Sequence, residues 1–212
     1  MTPLLSTHNL ERLLCIGAHS DDIEIGCGAT ILRLLRERPS LHVTWAVFCA
    51  SGERREEARA AAEQLLEGAG SVDLRLMECR DAHLPGSWLD VKALVGSLRD
   101  AEPDLIFSHR HDDRHQDHRL LAEFTAQTFR DHTVLAYEIA KYDGDLGQPN
   151  VFVPCSEEDL AAKCRACEHF ASQQGKQWFD DDTFRGLARL RGLECNSPTR
   201  FAEAFYCRKM TF

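Results

Sequence analysis

The chain has 212 residues, a formal net charge of -9 at pH 7, 43% hydrophobic residues and 28% charged residues. This length suits one domain, which we expect to span residues 1–212, and the composition is typical of a soluble globular protein and not of a disordered chain. The acidic balance argues against a nucleic-acid partner, because phosphate binding requires a basic surface.

The N-terminal region lacks the patterns that direct a chain to a membrane. No basic segment precedes its apolar residues, which run directly into the charged motif AHSDD. We therefore expect no signal peptide, no membrane span and a cytoplasmic location. Nine cysteines, an odd number that lie mostly in apolar stretches, fit a reducing compartment.

Short apolar or β-branched runs alternate with longer amphipathic ones. This pattern predicts an α/β fold with a mostly parallel sheet and helices on both faces, a Rossmann-like three-layer αβα sandwich. The predicted strands are Leu13–Ala18, His42–Ala50, Val72–Glu78, Asp104–Ser108, Thr133–Ile139 and Glu203–Arg208. The predicted helices are Gly26–Glu37, Arg54–Gly68, Leu89–Ala101, Asp117–Arg130, Ser156–Ser172 and Asp182–Arg191.

A first polar cluster, AHSDD (Ala18 to Asp22), follows the first predicted strand, at the sheet edge where ligands of such folds bind. His19 and Asp22 are three residues apart, so their side chains can converge on one point while Asp21 stays free. The alternative is that Asp21 and Asp22 cap the following helix and His19 is a solvated loop residue.

A second polar cluster, HRHDDRHQDH (His109 to His118), follows the fourth predicted strand and should lie at the same edge. Its ten residues contain four histidines and three aspartates, which favours metal or proton chemistry over a polar capping loop. His115 and His118 share one face of the next helix, and Asp117 between them is placed to orient one imidazole.

The residue types in the two clusters indicate which metal they would hold. Imidazole and carboxylate groups without thiolate point to Zn²⁺, with iron (Fe²⁺), cobalt and manganese as alternatives. Three protein ligands leave one position for water, which is typical of a catalytic site.

The AHSDD and HQDH turns resemble the AHPDD and HxDH signatures of the PIG-L/LmbE family of zinc-dependent N-deacetylases. The segments Ser51–Leu65 and Tyr137–Phe205 are similar to further parts of that family, so the resemblance covers nearly the whole chain. It implies a single LmbE-like deacetylase domain. The implied reaction removes an acetyl group from a small N-acetylated amino sugar or sugar conjugate of the N-acetylglucosamine type.

The resemblance also implies roles for residues of the two turns. His19, Asp22 and His118 would hold the zinc ion, and Asp21 would be the general base. The proton for the leaving nitrogen would come from Asp21 or from His115.

Further roles implied by the resemblance fall on neighbouring residues. His115 would stabilise the oxyanion of the tetrahedral intermediate, with Asp117 setting its charge or orientation. Arg54 and Asp81 would contact the sugar, although the other arginines of Ser51–Leu65 compete for the role of Arg54, and a solvated helix face is the alternative for all of them.

Two positions depart from the family pattern. Ser20 stands where the family usually has proline, and we expect its hydroxyl to hold the turn through a hydrogen bond to the backbone. Asp113 stands two residues before His115, where some members have a tyrosine near the substrate carbonyl. That contact to the oxyanion is therefore not expected here.

Two other functions fit the same clusters. One is a metal-dependent phosphoester hydrolase, whose sites often hold two ions. The other is a non-catalytic carbohydrate-binding domain that contains a metal, although binding alone does not need the spare carboxylate of Asp21. The sequence does not identify the exact substrate, the native metal or the oligomeric state, for which a homo-oligomer is one option.

Overall fold

The computed structural model describes residues 7–210, which form seven strands and six α-helices around one sheet. The strands are β1 (Arg12–His19), β2 (His42–Cys49), β3 (Ser71–Leu76), β4 (Leu105–Ser108), β5 (Thr133–Tyr137), β6 (Val151–Cys155) and β7 (Phe201–Cys207). The helices are α1 (Asp22–Glu37), α2 (Glu53–Leu65), α3 (Trp88–Ser97), α4 (Gln116–Thr128), α5 (Glu157–Cys167) and α6 (Asp181–Glu194).

The strand order across the sheet is β3-β2-β1-β4-β5-β7-β6. Strands β1 to β5 pair in parallel, whereas β7 is antiparallel to both β5 and β6. Successive side chains of a strand face opposite sides of the sheet. In β1, Leu13 and Cys15 therefore join a core cluster on one face, while Leu14 and Ile16 join a second cluster on the other. The predicted three-layer α/β architecture is confirmed.

The order of the strands places a crevice between β1 and β4. From β1 the chain proceeds outward to β2 and β3, and then returns to place β4 and β5 on the other side of β1. Such a reversal leaves room beyond the carboxyl ends of the two central strands, where ligands of open α/β sheets bind. Both polar clusters follow these two strands.

Several elements differ in their bounds from the sequence prediction: α3 and α5, for example, end at Ser97 and Cys167 and not at Ala101 and Ser172. Two further differences have a clear physical reason. Helix α1 begins at Asp22, four residues before Gly26, with Ile25 N donating to Asp21 O at 3.1 Å. Acidic residues favour the first turn of a helix, so the AHSDD motif forms the helix start itself. Strand β6, which contains Pro154, was not predicted from the sequence. β6 pairs only with β7, and an edge strand tolerates proline.

Helix α1 is kinked at Cys27, which has φ -149° and ψ 15°. The backbone groups freed by the kink bind an ion pair from distant elements: Glu203 of β7 accepts from Ala29 N and Thr30 N, and Lys163 of α5 donates to Ile25 O. Lys163 Nζ and Glu203 Oε1 lie 2.7 Å apart and both side chains are buried. This pair fixes the course of the helix that carries Asp22.

Close packing also explains a glycine of α1. A Cβ atom at Gly26 would lie 2.2 Å from Tyr137 Cδ2, and the Tyr137 hydroxyl donates to Ile16 O at 2.7 Å. Tyr137 therefore packs between α1 and β1 beneath the crevice. Among residues 7–210, no helix is both long enough and apolar enough to cross a membrane.

Candidate metal centre

Three side-chain atoms converge at the carboxyl ends of β1 and β4. His19 Nδ1 lies 3.1 Å from His118 Nε2 and 3.3 Å from Asp22 Oδ2, and the last two atoms lie 3.4 Å apart. Donor atoms about 2.0–2.2 Å from a tetrahedral ion are separated by about 3.3–3.6 Å. Two of the three separations fall in this range and the third is slightly shorter, so the arrangement suits a single divalent ion bound by His19, Asp22 and His118.

The AHSDD turn is held by one of these three side chains. Asp22 Oδ2 accepts the backbone N–H of His19 at 2.6 Å, which closes the turn at the start of α1. The expectation that the Ser20 hydroxyl holds the turn is wrong, because Ser20 Oγ is buried and makes no hydrogen bond with any described residue. Asp22 thus shapes the turn that presents its own carboxylate.

The imidazole of His118 is oriented from behind by Asp113. His118 Nδ1 lies 3.0 Å from Asp113 Oδ2, so this nitrogen carries the proton and Nε2 is free to face the centre. Asp113 Oδ1 accepts from His115 N at 2.8 Å, and Lys141 Nζ donates to Asp113 Oδ2 at 3.2 Å. Burial alone would raise the pKa of Asp113, but His118 and Lys141 hold it well below its usual range. Sequence reasoning assigned no role to Asp113, although it belongs to the second cluster.

Two carboxylates contact the other nitrogen of His19. Asp81 Oδ1 lies 3.1 Å and Asp117 Oδ2 3.4 Å from His19 Nε2. Asp117 is fully buried, and its Oδ1 accepts from Leu84 N at 3.1 Å. Burial opposes the charged form of His19, but Asp22, Asp117 and Asp81 outweigh it and raise the pKa of His19.

Asp117 contacts His115 through its backbone and not through its carboxylate. The Asp117 carboxylate faces His19, whereas its backbone N–H is donated to His115 Nδ1 at 3.3 Å, which caps α4. Ligand atoms of His115, His19 and His118 lie within 4.8 Å of one another, so His115 stands beside the centre. Burial and then His118 and His19 lower the pKa of His115, which favours its neutral form.

Asp21 lies beside the three converging atoms and is not one of them. It is 5% exposed, and its Oδ2 has no hydrogen-bond partner in the described part of the chain. Burial, followed by the neighbouring Asp22 carboxylate, raises the pKa of Asp21 to about 6. A carboxylate with such a pKa is suited to accept a proton near neutral pH.

His109 is a buried part of the centre that sequence reasoning left without a role. Its ring stacks on His118 with 3.9 Å between centroids, and Nε2 lies 3.3 Å from Asp22 Oδ2. Nε2 also accepts the N–H of Ala18 at 2.9 Å, so its lone pair is already used. His109 therefore packs against the ligands and anchors the end of β1.

Arg54 and Asp81 form an ion pair at the rim of the centre. Arg54 Nη1 and Asp81 Oδ2 lie 2.7 Å apart, and the side chains are 32% and 47% exposed. Of the competing arginines, Arg55 pairs with Glu78 and Arg59 with Glu56. Arg54 thus contacts the carboxylate that also contacts His19, at a position open to solvent.

The charges of the centre also suit a cation. Five carboxylates lie in or around it, and the cationic side chains of Arg54 and Lys141 contact Asp81 and Asp113, respectively. Buried carboxylates are costly unless a positive charge is nearby, which a divalent ion would provide. The carboxylates are those of Asp21, Asp22, Asp81, Asp113 and Asp117.

This chain is similar in sequence to a known family and to a bacterial relative. Residues 14–129 match the family model described as PIG-L, GlcNAc-PI de-N-acetylase. The uncharacterized deacetylase YaiS of Escherichia coli (strain K12) is 31% identical over 183 residues, which cover 80% of this chain and 96% of that protein.

Two solved structures share the fold at lower identity. The N,N'-diacetylchitobiose deacetylase of Pyrococcus horikoshii is 21% identical with a TM-score of 0.70, covering 95% of this chain and 85% of that one. GalB, the 4-carboxy-2-hydroxymuconate hydratase of Pseudomonas putida KT2440, is 19% identical with a TM-score of 0.75, covering 96% and 98%. The fold is thus shared by deacetylases and a hydratase, while the family match and YaiS show that this chain belongs to the PIG-L family of deacetylases.

Proposed function

We propose that the protein is a zinc-dependent hydrolase that removes the acetyl group from an N-acetylated amino sugar of the N-acetylglucosamine type. The observation that carries the proposal is the convergence of His19 Nδ1, Asp22 Oδ2 and His118 Nε2 within 3.1–3.4 Å of one another, beside the unpaired carboxylate of Asp21. Membership of the PIG-L family supports deacetylation as the reaction.

An acetamide is a poor electrophile with a poor leaving group, so its hydrolysis needs an activated water and a proton donor. His19, Asp22 and His118 would hold the Zn²⁺ ion, which would supply a Lewis acid to polarise a carbonyl and lower the pKa of water towards about 7. Asp21 then accepts the proton of the attacking water. Its buried position and raised pKa support this role.

The leaving nitrogen must be protonated before the amine departs. Asp21 carries a proton after the first step and can return it to the nitrogen. His115, which lies near His19 and His118, is the second candidate donor, and we assign it the contact to the oxyanion as well. A single well-placed oxyanion donor is worth about 2.7–4 kcal/mol.

Arg54 and Asp81 are proposed to bind the sugar. Their ion pair lies at the open rim next to His19, where hydroxyl groups of a substrate can exchange hydrogen bonds with both side chains. The Pyrococcus horikoshii neighbour, an N,N'-diacetylchitobiose deacetylase, supports an amino sugar as the substrate class.

The proposal is tested by acetate release. Metal-free protein is loaded with one equivalent of Zn²⁺, Fe²⁺, Co²⁺ or Mn²⁺ and incubated with N-acetylglucosamine, N,N'-diacetylchitobiose, sugar conjugates and N-acetylated amino acids as controls. We expect one acetate and one free amine per turnover from an amino sugar, and no release by the metal-free protein.

The alternatives give different results in the same experiment. A phosphoester hydrolase would release phosphate from phosphosugars and no acetate. A hydratase like GalB would add water to an unsaturated acid without releasing a group. A sugar-binding domain would bind N-acetylated sugars without turnover. Any of these outcomes, with no acetate from any substrate, would overturn the proposal.

A further inference from the structure

A second group of metal-binding atoms lies on the opposite side of His19 from the candidate catalytic ion. His19 and Cys49 are register partners at the carboxyl ends of the adjacent parallel strands β1 and β2. A ring nitrogen of His19, the Cys49 Sγ and a carboxylate oxygen of Asp117 lie within 4.8 Å of one another.

Cys49 is placed to reach this group. The residue is 3% exposed, and this cysteine is free. Sequence reasoning treated Cys49 as a small hydrophobic residue inside a strand. The structure instead places its sulfur beside the charged end of β1, where Asp117 is fully buried.

The nitrogen that faces this group is His19 Nε2. Asp117 Oδ2 lies 3.4 Å from it, which fits the separation of about 3.3–3.6 Å between donors on one tetrahedral ion. Asp81 Oδ1 lies slightly closer, at 3.1 Å. If Nδ1 of the neutral His19 imidazole binds the first ion, Nε2 carries the remaining proton. This one proton is then shared between the carboxylates of Asp117 and Asp81. Replacing that proton by a divalent ion would satisfy both carboxylates at once.

The donor set identifies the chemical class of the ion. Imidazole, thiolate and carboxylate together suit Zn²⁺ and its spectroscopic substitute Co²⁺, whereas Mg²⁺ and Ca²⁺ prefer oxygen ligands. The catalytic candidate, with His19, Asp22 and His118, lacks sulfur. The two sites therefore differ in whether a thiolate binds the ion, and absorbance spectra of bound Co²⁺ can detect this difference.

We propose that His19 Nε2, Cys49 Sγ and Asp117 Oδ2, with Asp81 as the outer ligand, form a second, inhibitory zinc site that fills when zinc is in excess. Binding there releases two protons, one from imidazole Nε2 and one from the Cys49 thiol, and leaves His19 as an imidazolate between two ions. The need to remove both protons makes this site weaker than the first.

Inhibition follows from the residues that the second ion would engage. Asp81 would turn from Arg54 to the ion, which removes the pair that the proposed function assigns to sugar binding. Ions on opposite nitrogens of one imidazole lie roughly 6 Å apart, farther than the about 3.5–4 Å of two-ion phosphoester sites. A second ion here would thus block the deacetylase site and would not convert it into a phosphoesterase.

The test is a Co²⁺ titration of the metal-free full chain followed by absorbance. In the wild-type protein we expect the first equivalent to give visible bands only, and the second to add a near-ultraviolet charge-transfer band from thiolate to cobalt. Cys49→Ser should lose the added band. The matched control Cys79→Ser, which removes a half-buried thiol that follows the neighbouring strand, should keep it.

Two results would overturn the proposal: binding of one Co²⁺ only, or a thiolate band that persists without Cys49. Cys49→Val, which places an apolar residue of high strand propensity at this buried position, serves if the serine variant does not fold. This optical test does not depend on the substrate, so it stands even if no acetylated sugar is turned over.

An activity measurement then tests inhibition separately. Excess zinc should inhibit the wild-type and Cys79→Ser proteins at the same concentration, and Cys49→Ser only at a concentration higher by at least about 10-fold, the loss of metal affinity expected from a damaged site. Equal inhibition of all three proteins would contradict a regulatory role for Cys49.

Discussion

His19 Nδ1 and His118 Nε2 lie 3.1 Å apart although 99 residues separate them in the sequence. They meet because β1 and β4 are neighbours in the sheet, and one of the two polar clusters lies at the carboxyl end of each strand. The centre therefore exists only in the folded chain, and an ion bound there should stabilise the folded state.

The first prediction concerns this stabilisation. Zn²⁺ at 100 times its Kd should raise the free energy of unfolding by about 2.7 kcal/mol, seen as a higher Tm after metal is added to chelator-treated protein. His118→Ala should abolish the increase, whereas His132→Ala, at a partly exposed position outside the two polar clusters, should retain it. An equal Tm increase in the His118 variant would show that zinc stabilises the protein elsewhere.

The second prediction concerns Asp113, which holds Nδ1 of His118 at 3.0 Å. Asp113→Ala should weaken metal affinity by about 10- to 100-fold, because the imidazole loses the partner that fixes its orientation. Competition with a coloured chelator measures the change. Asp112→Ala is the control, since the neighbouring Asp112 is exposed and pairs with Arg110. Unchanged affinity in the Asp113 variant would refute this positioning role.

The third prediction concerns pH. Burial and Asp22 raise the pKa of Asp21 to about 6, so below that pH Asp21 is protonated and cannot act as a base. We expect kcat/KM to fall as the pH falls through about 6, while zinc content measured on the same samples identifies any separate loss of metal. A rate that stays constant through this range with zinc retained would argue against Asp21 as the base.

The fourth prediction concerns the buried pair behind α1. Lys163→Met leaves the Glu203 carboxylate buried without its partner and should lower the free energy of unfolding by about 3–5 kcal/mol in denaturant titrations. Arg36→Met, which breaks the more exposed contact with Asp159, should cost about 1 kcal/mol or less. Adding Glu203→Gln to Lys163→Met should cost less than the sum of the single changes.

The fold and the placement of the two clusters could be predicted because they depend on local patterns. Apolar runs of strand length separated by amphipathic segments predict parallel strands with crossover helices. Since parallel strands end at one edge, two polar clusters that follow β1 and β4 are expected there.

Features that depend on side-chain geometry could not be predicted. Asp113 and His109 belong to the same run as His118, but only the fold shows that Asp113 contacts Nδ1 of His118 and that His109 stacks on its ring. In the sequence, Cys49 is an ordinary residue of a predicted strand. Only the strand register of the structure shows that it lies beside His19. Ser20 suggested a hydroxyl contact, whereas the turn is closed by Asp22.

The central claim is that a metal ion at the convergence of His19, Asp22 and His118 works with Asp21 to remove an acetyl group. Its most direct test is acetate release by zinc-loaded wild-type protein and by Asp21→Asn, with zinc content determined on both and Asp112→Asn as the control. We expect equal zinc in all three, wild-type turnover in the control, and turnover lower by about 10²- to 10⁴-fold in Asp21→Asn. Full activity of Asp21→Asn at equal zinc content would contradict the account.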